Sequence, residues 1–323
     1  MTILRPFKIC VYFALTVLPI FNVFGMTEAY GELPVINLSK DLKGYAPSDS
    51  LTQVFNGERS VAITGPSAEI KEWIPVEKVP QIKEANSIEE ARLNLTHVGY
   101  ALVEARLFNL SSMEGFELFT NNFNVMPEDV FVPQLIRKRR NLAAVYDCAT
   151  QEIVLDTSGV IADKKESFAG KEYVLAARKY PPIPEENHPF VEQLIRQVMQ
   201  LVIGDGNSNG KLKMSINQLR LEFDKTKPEL ESARIVNHIH QDGGDFVIAI
   251  MFNRQGINNA EVILYDRINE DLVPVGKIDR MTQGQVYVLD DKRMFHYVTD
   301  MDKASQLGEN AFRDMLILGI YRI

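Results

Sequence analysis

The chain has 323 residues, 46% hydrophobic and 24% charged, the composition of a folded globular protein with material for one large domain and an extension. Its formal charge of -8 argues against a general nucleic-acid binder, and the single dense basic run is Arg137, Lys138, Arg139 and Arg140. Two cysteines, Cys10 and Cys148, exclude a disulfide-stapled scaffold and a cysteine-rich zinc site.

Residues 1–25 have the plan of a signal peptide: Arg5 and Lys8, an apolar run from Ile9 to Phe24, then a change of character after Gly25. The run is shorter than the ~20 residues of a spanning helix, and Pro19 and Asn22 interrupt it, so no stable membrane anchor is expected. A used leader predicts export to the periplasm or beyond; translation from Met26 predicts a cytoplasmic chain.

Residues 26–98 read as an N-terminal arm and helix. From Leu33 to Val79 the chain is polar and turn-rich, with Pro34, Pro47, Pro66 and Pro75, and predicts an irregular arm. Ser87-Ile-Glu-Glu90 has the form of a capping box, and Ala91, Leu93 and Leu95 suit a helix that stops before Gly99.

Residues 99–323 form the main domain. Tyr100 to Leu107 predicts a strand and Met113 to Asn121 a helix. The strongest helix runs from Pro189 to Ile203, where Phe190, Leu194, Val198 and Leu201 recur at helical spacing. Beyond it come strands: Met214–Phe223, Phe246–Asn253, Val262–Tyr265, Gln285–Leu289 and Leu316–Tyr321. Short strands after helical material predict an α+β fold, a double-stranded β-helix (jelly-roll) core with flanking N-terminal helices.

Within this β region, His240-Gln-Asp242 carries the chemistry. In a strand, residues two apart share a face, so His240 and Asp242 can grip one ion while a later strand delivers His296. Two histidines and one carboxylate on one side of an octahedral iron leave positions open for a cosubstrate and dioxygen, the arrangement of non-haem Fe(II) oxygenases. Arg313, entering the last strand, suits a dicarboxylate. His238 competes as a ligand, but a third imidazole would fill an open position, so it reads as a pocket residue. Of the five histidines, His97 and His188 have no ligand-like neighbours. Asp205 to Gly210 imitates the start of a calcium loop, yet its twelfth position is Ile216 where a glutamate is required. No Gly-x-Ser-x-Gly elbow supports serine hydrolase chemistry.

Taken in order, these blocks resemble the 2-oxoglutarate and Fe(II)-dependent dioxygenases, in particular the subgroup of bacterial L-isoleucine 4-hydroxylase-like amino-acid hydroxylases. The blocks are His240 to Val247, Met251-Phe-Asn253, Phe295-His296-Tyr-Val298 and Ala311 to Leu316; Asn217 to Arg220 and Arg137-Lys-Arg139 match more weakly. Where relatives carry paired glycines before an acidic residue, this chain has Asn259-Ala260-Glu261. The resemblance implies Fe(II) on His240, Asp242 and His296, with 2-oxoglutarate and O2 as cosubstrates and Arg313 and Gln218 as cosubstrate-binding residues. It also implies a small-molecule substrate, a free L-amino acid hydroxylated on an aliphatic carbon with release of succinate and CO2; Arg139, Arg220 and His238 are candidates to bind it. A non-catalytic jelly-roll metal or metabolite binder and a peptidyl hydroxylase are the alternatives.

Overall fold

In the computed structural model the described residues are 52–323, apart from 56–57, 66–68, 130–134, 159, 162–164, 169–170, 175–177, 204–209, 228, 236–237 and 305–309. The leader-shaped segment, Cys10 and most of the calcium-loop imitation lie outside them. All described residues fall in one unit, Ser48–Ile323.

The principal elements in chain order are β1 (Thr52–Phe55), β2 (Glu58–Thr64), β3 (Ile70–Pro75), α1 (Ile88–Val98), β4 (Tyr100–Val103), α2 (Phe116–Asn122), β5 (Ile136–Asp147) and α3 (His188–Val202). They continue with β6 (Lys211–Glu222), β7 (Phe246–Gln255), β8 (Val262–Ile268), β9 (Asp271–Ile278), β10 (Val286–Asp290), β11 (Phe295–Val298) and β12 (Phe312–Arg322). The arm expected over residues 33–79 is corrected for its described part: β2 and β3 pair with each other, and β2 joins β9 through Thr64 and Leu272. The strand expected to reach Leu107 stops at Val103, and Ala105–Phe108 is a helical turn.

The start and stop of α1 follow its sequence. The Ser87 hydroxyl accepts from the Glu90 N–H at 3.1 Å, the Glu90 carboxylate reaches back to the Asn86 N–H at 2.8 Å, and Gly99 ends the helix at φ 87°. Removing the Ser87 hydroxyl costs about 1 kcal/mol. The α3 helix buries Phe190, Leu194, Ile195 and Val198, each contributing about 1.5–3 kcal/mol by leaving water.

Two sheets form the β core. The larger contains the order β4-β10-β7-β12-β6-β5, and the smaller β1-β2-β9-β8-β11 with β3 beside β2. Strand alternation sorts side chains into three layers. Leu142, Met214, Ile216, Ile248, Ile250, Val288, Leu316 and Leu318 face the helices and pack with Phe119, Phe190 and Leu194. The alternate residues Leu221, Val247, Ala249, Met251, Tyr287, Leu289 and Met315 face Val262, Leu264 and Val298 of the smaller sheet across the interior. Ile263, Tyr265, Phe295 and Tyr297 pack outside the smaller sheet with Val61 and Ala62 of β2. These layers form the expected α+β jelly roll, with helices on one face.

Phase decides which polar residues reach the interior. On β12, Arg313 and Met315 share its face; on β11, His296 does so with Val298. On β7 the pairing slips between Met251 and Asn253, so Arg254 rather than Asn253 stands opposite Arg313.

Candidate metal centre

His240 and Asp242 do not lie on a regular strand, contrary to the expectation of a shared strand face. His240 forms an isolated bridge to His296 of β11, and the chain then turns through Gly243 and Gly244 into β7. Gly243 has φ 83°, and a Cβ on Gly244 would come within 3.0 Å of the Ile320 carbonyl, so the glycines after Asp242 shape this turn. The outcome that the sequence pointed to survives: one ligand-type atom from each of His240, Asp242 and His296 lies within 4.8 Å of the others. All three residues are buried, and no other such group of three occurs among the described residues.

Hydrogen bonding prepares these side chains. His240 Nδ1 lies 3.1 Å from the His238 carbonyl, which can only accept, so the neutral ring carries its proton on Nδ1 and turns a lone pair on Nε2 toward Asp242, 3.6 Å away. The rings of His240 and His296 are 4.3 Å apart. Asp242 is held through its backbone: Asp291 Oδ1 accepts its N–H at 3.0 Å, and Asp291 Oδ2 accepts the Gly244 N–H at 2.8 Å. Gln241 donates to the Asp291 carbonyl at 2.6 Å. Burial and then the charge of Asp242 push the Asp291 carboxyl up to about 7, against the pull of these backbone N–H groups. Nothing in the sequence marked Asp291, because its bonds run to backbone atoms about fifty positions upstream.

Arg313 lies in the interior with 4% exposure. Its donors meet only the Ala260 carbonyl, at 3.5 Å, and the Met315 sulfur, and its Nε has no partner. Among the described residues no carboxylate pairs with it. Burial first, then the charge of Arg254, lower its pKa to about 10, so it is a cation at neutral pH. Tyr287, also buried on the interior face, lies close enough to Arg313, Asp242 and Asp291 for the charge of each to act on it. Tyr287 was not foreseen; it lies in an apolar strand without a motif.

The remaining sequence candidates divide by face. Gln218 and Arg220 project toward the helices, away from the cluster. Gln218 donates to the Phe119 carbonyl at 3.3 Å, while Arg220 is bidentate to Asp314 at 2.6 and 2.7 Å and donates to Asn124 at 2.8 Å. Arg220 is thus placed as a buried structural ion pair. Arg139 stands in register with Leu219, itself opposite Met315, and so takes the interior face. Its guanidinium donates to Asn217 and lies 4.4 Å over the Tyr180 ring. The His238 ring packs edge-on against His240 with centroids 5.4 Å apart, and burial followed by the His240 charge lowers its pKa to about 4, so it is neutral at pH 7.

Known proteins bear the same architecture. A bsmA homolog from Methylobium petroleophilum PM1 aligns with 75% of this chain and 96% of its own, at 17% identity and a TM-score of 0.58. IDO from Bacillus thuringiensis aligns with 74% of this chain and 97% of its own, at 17% identity and a TM-score of 0.55. The Fe(II)/(alpha)ketoglutarate-dependent dioxygenase TqaL aligns with 73% and 87%, at 15% identity and a TM-score of 0.51. These likenesses establish the fold. No curated protein matches the sequence. The profile of the family described as 2OG-Fe dioxygenase matches residues 120–319, a span that contains the cluster, Arg254 and Arg313. The chain belongs to the 2OG-Fe dioxygenase family, whose enzymes use Fe(II), 2-oxoglutarate and O2.

Proposed function

We propose that His240, Asp242 and His296 hold Fe(II), that Arg313 binds the distal carboxylate of 2-oxoglutarate, and that the enzyme hydroxylates an aliphatic carbon of a free L-amino acid. The observation that carries this reading is Arg313: a buried cation without a carboxylate partner among the described residues, on the interior face it shares with Met315 and Tyr287. A planar guanidinium suits bidentate capture of a carboxylate, and a buried charge is stabilised once it is paired.

The residues fit the iron. Two neutral imidazoles and a carboxylate are a donor set for Fe(II), and the Nδ1 bond of His240 presets its tautomer. When bound, iron supplies oxidative decarboxylation of 2-oxoglutarate to succinate and CO2 coupled to hydroxylation of a C–H bond. The protein provides orientation and dryness. Asp291 fixes the Asp242 backbone, His238 fixes His240, and Val247, Ala249, Leu264 and Leu289 surround the interior with apolar surface. Arg139, on that interior face, is the residue we assign to the substrate carboxylate; this assignment and the amino-acid substrate rest on the resemblance to the isoleucine 4-hydroxylase-like subgroup.

The test is anaerobic reconstitution with Fe(II) and 2-oxoglutarate, then oxygen, with succinate assayed against a panel of free amino acids. Stimulation by one of them names the substrate. Stimulation only by peptides would instead make the chain a peptidyl hydroxylase, and ligand binding without any succinate would make it a binder.

A further inference from the structure

Arg254 is the one cation that the β7 slip brings opposite Arg313. Like charges directly across a strand pair repel, and both of these are drawn from water. Among the described residues neither makes an ion pair. The acid whose charge acts on Arg254 is Glu261, but both Glu261 oxygens are engaged by Arg59, at 2.6 and 2.9 Å. Arg280 adds further positive charge near Arg254.

The two guanidinium groups reach the carbonyls of neighbouring residues. Arg254 donates to the carbonyl of Asn259, and Arg313 donates to the carbonyl of Ala260. These oxygens belong to successive residues, whose Cα atoms are about 3.8 Å apart across a trans peptide. The turn that offers them is itself strained: Asn259 has φ 54° and Ala260 φ 56°, left-handed values that side-chain-bearing residues rarely adopt in succession. Paired cations and a strained frame are both unfavourable to the isolated protein, and strain of this kind persists where a ligand site needs it.

We propose that Arg254 and Arg313 together form the anion site for the distal carboxylate of 2-oxoglutarate, with Arg254 as a second cosubstrate-binding residue. The Asn259-Ala260 turn is the frame that holds the two heads at one spacing. This inference rests on the proposed role of Arg313, and it extends that role to a residue outside the motif.

The test measures binding rather than turnover, by calorimetry on the Mn(II)-loaded protein without oxygen. Two ligands are compared: 2-oxoglutarate, and 2-oxobutyrate, which keeps the chelating 2-oxo acid but lacks the second carboxylate. Arg254→Gln is expected to weaken 2-oxoglutarate about 10-fold or more, the scale of one charged hydrogen bond, and to leave 2-oxobutyrate within about 2-fold. Arg254→Lys, which keeps the charge and loses the fork, is expected to weaken 2-oxoglutarate less than the Gln variant does. It serves as the readout if the Gln variant does not fold. Unchanged 2-oxoglutarate affinity in the Arg254 variants, or equal weakening of both ligands, overturns the proposal. Arg313→Gln separates the two readings: if it too leaves 2-oxoglutarate binding intact, the cosubstrate site as a whole is wrong, whereas a loss confined to Arg313→Gln removes only the second arginine.

Discussion

His240 and His296 exchange backbone hydrogen bonds, 3.0 Å from the His240 N–H to the His296 carbonyl and 2.9 Å in return. The positions of their backbones are therefore set by main-chain pairing, which does not depend on either imidazole. His296→Ala is expected to keep the bridge and the fold while lowering Mn(II) affinity and 2-oxoglutarate turnover by about 100-fold or more. Calorimetry with Mn(II) and a succinate assay, beside an unchanged circular dichroism spectrum, check this; full turnover in the variant would sink the ligand assignment.

Asp291 satisfies two buried N–H groups in the turn that carries Asp242. Asp291→Ala leaves both donors without an acceptor, which should cost on the order of 2–4 kcal/mol, and it releases the Asp242 backbone. A lowered urea midpoint together with weaker Mn(II) binding is the expected pair of results. Loss of stability with metal affinity intact would show that the turn does not govern the ligand.

Arg220 was a substrate-binding candidate in the sequence, and its side chain faces the helices in a bidentate pair with Asp314. Arg220→Ala strands a buried carboxylate and is expected to destabilise by about 3–5 kcal/mol. At a temperature where the variant is folded, its KM for the proposed amino-acid substrate should equal that of the parent. A raised KM in fully folded protein would return Arg220 to the substrate site.

Asp245 joins the start of β7 to the end of β12. Burial alone would raise its carboxyl, but the Lys292 hydrogen bond, the Arg322 N–H and the charges of both residues outweigh this and hold its pKa below the ordinary 3.8. A depressed folded pKa contributes stability above the unfolded pKa and loses it as the pH falls through the folded one. The stability gap between the parent and Asp245→Asn should thus be open at pH 7 and close as the pH falls below about 4. Urea midpoints at pH 7 and pH 3 measure it, and a gap that widens in acid would mean that the folded pKa of Asp245 is raised.

Asn259 and Ala260 both have left-handed φ values, 54° and 56°. Ala260→Gly removes the Cβ penalty and is expected to stabilise the protein by about 1 kcal/mol, less the entropy that glycine adds to the unfolded chain. Thermal denaturation tests this, and a lower Tm would mean that the Ala260 methyl contributes packing worth more than the strain.

Local signals made much of this molecule legible. Phe190, Leu194 and Val198 announced α3 by their period, Ser87 and Gly99 marked the ends of α1, and His240, Asp242, His296 and Arg313 formed a recognisable order. What escaped depends on partners distant in sequence. The β9 strand contains Pro274 and Gly276, residue types that disfavour a strand interior, but the β8–β9 pairing shifts beside them and accommodates both. Gln218 and Arg220 could not be assigned a face because both faces of the larger sheet are buried, so composition does not reveal phase. Asp291 and Arg254 carry no motif; the first acts on backbone atoms, and the second gains its position from a one-residue slip in pairing.

That slip has a mechanical side. The residue it accommodates, Phe252, points its ring into the helical layer, with centroids 5.0 Å from Phe119 and 5.6 Å from Phe123. Arg254 follows two positions later on the same strand. Ring volume in the helices and the register of Arg254 against Arg313 are thus joined by a short piece of backbone, so a change of aromatic size at Phe119 or Phe123 bears on the interior face without any polar residue being altered.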